Sequence, residues 1–245
     1  MTTLALRAGV PPGRISLAGI VPTALAGKTA ATIERLPLVL GNRSVPLAEL
    51  FAVTGAPGDT LAFADTNARC DSIGEGMDGG TLVVEGDAGL YAGRAMKKGL
   101  LHIKGSAGDF FGSAHPGTRR GMAGGVARVD RNVGDRAGEF LRRGIVLVGG
   151  DAGGYCGARA TAGTIVVLGR AGAMAGWSLK RASLVLARMP QSMPPTFGDA
   201  GVHELLYLRL LARSLGLDAG RFARVRRFAG DSQVGGKGEI LVAAP

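Results

Sequence analysis

From Gly74 to Gly176 the chain runs in short bursts of alternating apolar and mixed positions, each followed by regularly spaced glycines. Count from Gly80, Gly99, Gly125, Gly144 and Gly163. Offsets 2 and 4 are then apolar in every copy: Leu82/Val84, Leu101/Ile103, Ala127/Val129, Val146/Val148 and Ile165/Val167. Offsets 1 and 3 are mixed: Thr81/Val83, Leu100/His102, Val126/Arg128, Ile145/Leu147 and Thr164/Val166. Period-two alternation predicts a short strand with one buried face. Glycines follow at offsets 6, 9 and 13, as in Gly86, Gly89 and Gly93 or Gly150, Gly153 and Gly157. Glycine permits positive φ and close backbone approach at tight corners. A strand, a corner and a return in 19 residues make one coil of a solenoid. One coil cannot bury its own face, but stacked copies share a core.

The spacings are 19, 26, 19 and 19 residues, so one repeat carries seven extra. His115 to Gly121 is the expected insert, because its removal aligns Met122 with Met96 and Met77. Equivalent side chains on stacked coils lie about 4.8 Å apart, so six turns would span roughly 25–30 Å. Offset 11 reads Tyr91, Phe110, Arg136, Tyr155, Met174, a stacking column that Arg136 interrupts. Offset 12 is mostly small and includes Cys156, which reads as a packed residue rather than a nucleophile. In the third repeat Arg131 stands at the offset 6 corner.

The flanks lack the repeat. Residues 24–36 predict a short helix, 38–45 a hairpin and 47–53 another short helix. After the prolines 190, 194 and 195, residues 202–215 have the spacing of an amphipathic helix, with Gly216 as its stop. Arg221, Arg224, Arg226 and Arg227 follow, then a Gly-rich tail. The expected fold is mainly β: a right-handed β-helix of about six 19-residue coils. The expected organisation is an N-terminal α/β cap over 1–60, the coils over 61–188, and a C-terminal helix and basic tail over 189–245. Caps are expected because solenoid ends expose strand edges.

Composition sharpens this picture. Glycine supplies 42 of 245 residues, more than twice the usual share of roughly 7% but with no collagen period. The hydrophobic share of 46% excludes a disordered Gly-rich linker. Net charge is +10, which favours acidic partners. Scarce aromatics and no zinc-finger or RNP-like motif argue against nucleic acid. No apolar run is long enough to span a bilayer. Ile15 to Ala26 mimics a short signal peptide, but Ser16, Gly19, Pro22 and Thr23 interrupt it. Two cysteines outside any CxxC pattern fit a reducing compartment, so a cytoplasmic location is expected.

The candidate chemistry is sparse. Gly74 to Gly79 matches GxGxxG, but a strand rather than a helix follows it. His203 to Tyr207 starts like HExxH and lacks the second histidine. Asp87, Asp109, Asp135 and Asp151 lie near corners in two different columns, which fits turn hydrogen bonding better than a glycanase-type carboxylate pair. No catalytic, cofactor-binding or metal-ligating residue is singled out. The basic pairs are more informative. Lys97-Lys98, Arg142-Arg143 and Lys180-Arg181 occupy offsets 17 and 18, and Arg119-Arg120 lies in the insert. They read either as a solvated face or as a ridge that docks an acidic protein or polyanionic tail.

The strand plus GxxGxxxG repeat resembles the β-helix domain at the C-terminus of the glutamate synthase large subunit. That domain also forms the C subunit of formylmethanofuran dehydrogenases. Gly144 to Arg159 and Gly163 to Gly169 resemble the C subunit closely. So do Gly41-Asn42-Arg43, Pro46-Leu47, Glu49-Leu50-Phe51 and Pro194-Pro195-Thr196-Phe197. The Ala/Arg-rich composition leans towards the bacterial member of the family, in the formyltransferase/hydrolase complex of methylotrophs. The resemblance implies a non-catalytic scaffold subunit in one-carbon metabolism and formaldehyde oxidation. It implies a complex that moves a formyl group from formyl-tetrahydromethanopterin to a methanofuran-type cofactor and releases formate. The implied partners are the amidohydrolase-like A subunit, which holds the metal, the B subunit and the formyltransferase D subunit. An acidic glutamyl cofactor tail is a further implied partner for the basic ridge. The alternatives are a component of an archaeal-type molybdenum or tungsten dehydrogenase, a glutamate synthase-type spacer, and a free-standing polysaccharide-active β-helix protein.

Overall fold

The computed structural model describes residues 1–56 and 58–244. The N-terminal part contains β1 (Thr2–Leu6), β2 (Ile15–Ser16), α1 (Pro22–Leu25), α2 (Ala30–Glu34), β3 (Pro37–Leu40), β4 (Arg43–Pro46), α3 (Leu47–Leu50) and β5 (Phe51–Gly55). The glycine-rich part contains β6 (Thr60–Ala64), β7 (Cys70–Asp71), β8 (Asp78–Val84), β9 (Lys98–Ile103), β10 (Ala123–Val129), β11 (Arg143–Val148), β12 (Thr164–Val167) and β13 (Ser183–Leu186). The C-terminal part contains β14 (Gly198–His203), α4 (Leu206–Ser214), β15 (Val225–Gly230) and β16 (Gly238–Ala243).

The fold is mainly β and dominated by one 12-stranded sheet, in the order β14-β15-β16-β13-β12-β11-β10-β9-β8-β6-β1-β5. From β6 to β13 neighbouring strands pair parallel, in sequence order but for the short β7. The register follows the repeat: Leu101 faces Leu82 and Ala127, and Val146 faces Ile165. Ala88, Ala107, Val133, Ala152 and Ala171 make a second run of parallel bridges at offset 8, one residue per coil. The offset 2 and 4 side chains are all buried in a single core. Each such Val, Leu or Ile contributes about 1.5–3 kcal/mol when fully buried, an upper bound for a compact unfolded chain.

The insert lies where the register requires. Lys97 N–H donates to Met77 O at 2.7 Å, and Ala123 N–H donates to Met96 O at 2.7 Å. Arg142 N–H donates to Met122 O at 2.9 Å in the next coil. Met77, Met96, Met122 and Leu141 are therefore one buried column, and residues 115–121 loop out of it.

The flanks differ in detail from the sequence pattern. The segment 24–36 holds two short helices, divided where Thr29 caps the second by accepting Thr32 N–H. The helix expected over 47–53 stops at Leu50, because Phe51 to Gly55 pair antiparallel with β1. The expected hairpin forms, with Leu38 opposite Val45. The helix expected from 202 begins at Leu206, since Val202 and His203 pair with Arg226 and Val225 of β15. The Gly-rich tail contains β16, which pairs parallel with β13 and continues the stack.

This last pairing explains α4. Offset 3 side chains point to the outer face of the sheet. They are polar in the middle strands, as His102 and Arg128, and apolar further on, as Leu147 and Val166. Leu147, Val166, Val185 and Leu241 pack with Leu208, Phe222 and Val225 in a second core beneath α4. A parallel sheet is normally covered on both faces, and from β11 to β13 and on to β16 the outer face is apolar where α4 covers it.

Candidate functional site

The corner residues let successive repeats fit closely. A Cβ on Gly172 would lie 2.8 Å from the Gly153 carbonyl carbon of the neighbouring coil, so only glycine fits there. Next to these glycines, corner carboxylates accept backbone N–H groups from the following coil. Asp87 Oδ1 accepts from Ser106 N at 2.8 Å, and Asp109 Oδ1 from Asp135 N at 2.8 Å. Asp135 Oδ1 accepts from Gly154 N at 2.7 Å, and Asp151 Oδ1 from Arg170 N at 2.7 Å. The four aspartates thus act as struts between successive repeats.

In the offset 11 column Arg136 stands between aromatic residues, and it stacks on one of them. Tyr91 and Phe110 stack at 5.1 Å, and the Arg136 guanidinium lies 5.0 Å from the Tyr155 ring centroid. A planar guanidinium stacks on an aromatic face much as a ring does. Cys156 is buried and its thiol is pushed up to about 12 by that burial, so it is no thiolate at neutral pH. Cys70 is raised in the same way, and both cysteines are free. His203 lies at the end of a strand, with Nε2 2.9 Å from Ala200 O. The Gly74–Gly79 stretch leads into β8, not a helix. Among the described residues, no group of three or more His, Cys, Asp or Glu could hold a metal ion.

The basic residues form the most distinctive surface. Lys97, Arg142 and Lys180 make equivalent backbone bonds to Met77, Met122 and Ala160, so they lie in one column along the stack. Ala123 and Thr161 fill the intervening places of that column. The insert adds Arg119 and Arg120 on the coil whose own position is Ala123. A cleft of about 980 Å³ is lined by Arg119, Arg120, Phe140, Arg142, Arg159 and Lys180, among others. A second cleft of about 530 Å³ shares Arg120 and Arg142 with it and adds Lys97, Arg143 and Arg181. A third of about 270 Å³ is lined by Lys180, Arg181 and Lys237 with Val234 and Gly235. Seven of the eight predicted basic residues therefore line neighbouring clefts on one face; Lys98 does not. Among the described residues no carboxylate lines any of the three. Among the described residues none of the eight forms an ion pair. Asp78 marks one end of the row. The hydrogen bond from Thr23 chiefly holds its carboxyl below the usual range, with Lys97 and Lys98 adding to the effect.

Arg159 and Lys237 were not among the expected residues. Arg159 belongs to the offset 15 column, whose other members Ala95, Ala114, Phe140 and Ser178 carry no charge, so no repeated basic signal marks it. Lys237 reaches the face only because the tail folds back beside β13.

No protein-family model matches the chain. The chain is similar to one in the crystal structure of the formyltransferase/hydrolase complex from Methylorubrum extorquens in complex with methylofuran. That match has 34% identity and a TM-score of 0.86, and covers 99% of this chain and 100% of the solved one. The C subunit of the formyltransferase/hydrolase complex of the same organism aligns at 34% identity over 89 residues, 36% of this chain and 33% of the relative. The C subunit of the molybdenum-containing formylmethanofuran dehydrogenase 1 of Methanosarcina barkeri aligns at 36% over 77 residues, 29% of this chain and 26% of the relative. The C subunit of the tungsten-containing formylmethanofuran dehydrogenase 2 of Methanothermobacter marburgensis aligns at 32% over 81 residues, 30% of this chain and 29% of the relative. These sequence alignments span a third or less of the curated relatives, whereas the structural match runs the full length. With that full-length likeness at 34% identity, the chain belongs to the family of C subunits of formyltransferase/hydrolase and formylmethanofuran dehydrogenase complexes.

Proposed function

We propose that this chain is a non-catalytic scaffold subunit of a formyltransferase/hydrolase-type complex of one-carbon metabolism. The complex would transfer a formyl group from formyl-tetrahydromethanopterin to a methanofuran-type cofactor and release formate. The A, B and D subunits would be its partners, with the metal and the active sites carried by them. The full-length likeness to a chain of the formyltransferase/hydrolase complex carries this reading. The similarity to components of molybdenum- and tungsten-containing dehydrogenases favours, as a second reading, the same role in a dehydrogenase complex. Two buried free thiols fit a reducing cytoplasm. The absence of any helix long and apolar enough to cross a membrane, among the described residues, fits the same reading.

We further infer that the parallel stack is a right-handed β-helix of about six coils. In this reading, residues 1–60 and 189–245 cap the coils of 61–188. The sequential parallel register and the second run of bridges support it. The basic face would dock an acidic neighbouring protein of the complex or an acidic glutamyl cofactor tail. Among the described residues no carboxylate lines its clefts, which supports that assignment. Charge reversal at Lys97, Lys98, Arg142 and Arg143 tests it in the assembled complex. Loss of assembly or turnover is expected. Unchanged assembly and turnover would remove the docking role.

A further inference from the structure

We propose that the basic cleft of about 980 Å³ is a binding site for a small linear polyanion, with Arg159 as its fixed anchor. This rests on the reading of the basic face as an anion-docking surface and gives that face a defined pocket. Three features converge on the cleft.

The first is the insert. Seven residues that no other coil contains deliver Arg119 and Arg120 to this cleft. Both ends of the loop are held. His115 Nε2 lies 3.3 Å from Glu75 Oε1, and Gly121 N–H donates to Phe140 O at 3.1 Å.

The second is the wall of the cleft. Phe140, Arg159 and Ser178 have φ of 58°, 55° and 56°, a left-handed corner conformation that Ala95 repeats in the same column outside the cleft. In successive repeats this corner carries an aromatic ring, a guanidinium and a hydroxyl. All three line the cleft. Glycine would relieve the corner and remove those side chains from the wall.

The third is the state of Arg159. Its guanidinium lies 4.4 Å from the Trp177 ring and 5.4 Å from the Phe140 ring. Its Nη1 donates to Glu139 Oε1 at 3.0 Å, an oxygen shared with Arg136. Among the described residues, its Nε and Nη2 make no hydrogen bond. The side chain is thus held by stacking and one ion pair, with a second donor edge open. A guanidinium fork of this kind suits carboxylate or phosphate.

Volume and shape select the ligand. About 980 Å³ lies at the upper end of small-molecule sites and exceeds the need of a single ion. Arg119, Arg120, Arg142 and Lys180 supply unpaired charge beside the anchor. The shared chemistry is a short row of anionic groups, carboxylate or phosphate.

The test is calorimetric titration of the full chain with two probes, tripolyphosphate and a hexa-aspartate peptide, at physiological salt. At least one probe is expected to bind one-to-one, and the one that binds identifies the anion type. Arg159→Lys keeps the charge and loses the fork, so affinity falls about tenfold or more, as for one charge-assisted hydrogen bond. The pair Arg119→Gln, Arg120→Gln, which breaks no ion pair, lowers affinity similarly with the melting temperature unchanged. Arg43→Lys and Arg213→Lys, exposed and outside the three basic clefts, bind as the parent chain does. The proposal is overturned if neither probe binds. It is equally overturned if Arg159→Lys binds as the parent, or if every variant loses affinity only in proportion to the charge removed. Assembly with the A, B and D subunits is scored in parallel. Intact assembly without probe binding rejects the cleft and leaves the scaffold role; probe binding without assembly does the reverse.

Discussion

Gly172 and Gly154 separate two uses of glycine within one corner. A Cβ at Gly172 meets backbone of the next coil at 2.8 Å, and backbone cannot give way. A Cβ at Gly154 has its nearest neighbour at 3.5 Å. Gly172→Ala is therefore expected to destabilise by about 1–3 kcal/mol as an overpacked site. Gly154→Ala should stay within about 0.5 kcal/mol. Denaturant unfolding of both variants measures the contrast. Asp130 shows how a single carboxylate ties stability to pH. Burial raises its pKa, but hydrogen bonds from Arg128 and His102 outweigh this, so the folded carboxyl sits below its ordinary range. A depressed folded pKa gives stability that is present above the unfolded pKa of about 3.9 and is lost as pH falls through the folded one. Asp130→Asn should remove part of that acid-limb loss, read from melting temperatures between about pH 5 and 2. Cys156, buried with its thiol pushed up to about 12, should react with a thiol reagent only at the rate of unfolding.

At the scale of elements, α4 depends on the sheet beneath it. Leu208 is fully buried against Leu147, Val166 and Val185, while Leu206 and Leu210 on the same helix are exposed. Leu208→Ala should cost about 2–5 kcal/mol of stability. Leu210→Ala should cost far less, and thermal unfolding checks both. The strands were legible in the sequence because buried alternation leaves a direct trace, from Leu82/Val84 to Ile165/Val167. The insert was legible because a fixed register exposes any extra residue. β16 was not, because Ile240 to Val242 lie far in sequence from the strand they pair with, inside a glycine-rich tail. The cover over β11 to β13 had a trace in the change from Arg128 to Leu147 at offset 3, but only a neighbour in space gives that change its meaning. Two expected helix ends, the start at 202 and the stop at 53, differ from the structure for a related reason. Val202 and Phe51 pair in strands with partners that local periodicity cannot see. Arg159 was missed because its column repeats a backbone conformation, φ near 55°, rather than a residue type.

For the whole molecule, the +10 charge is not spread evenly. Much of the excess lies on one face of the stack, where the repeat aligns Lys97, Arg142 and Lys180 and the insert adds two arginines. Elsewhere many charges are paired, as in Arg94 with Glu75 and Arg227 with Glu239. Such a face should bind acidic partners with strong salt dependence, since screening acts over about 8 Å at physiological ionic strength. The large sheet gives this face rigidity, and the parallel register of its strands fixes the spacing of the charges. On the proposed reading the chain organises the other components of the complex and performs no chemistry itself. Native mass spectrometry of the complex isolated through a tag on this chain tests that claim most directly. A defined assembly with the A, B and D subunits is expected, in which formyl transfer and hydrolysis require the partners. Isolation of this chain alone, or formyl transfer or hydrolysis by the purified chain without partners, would contradict it.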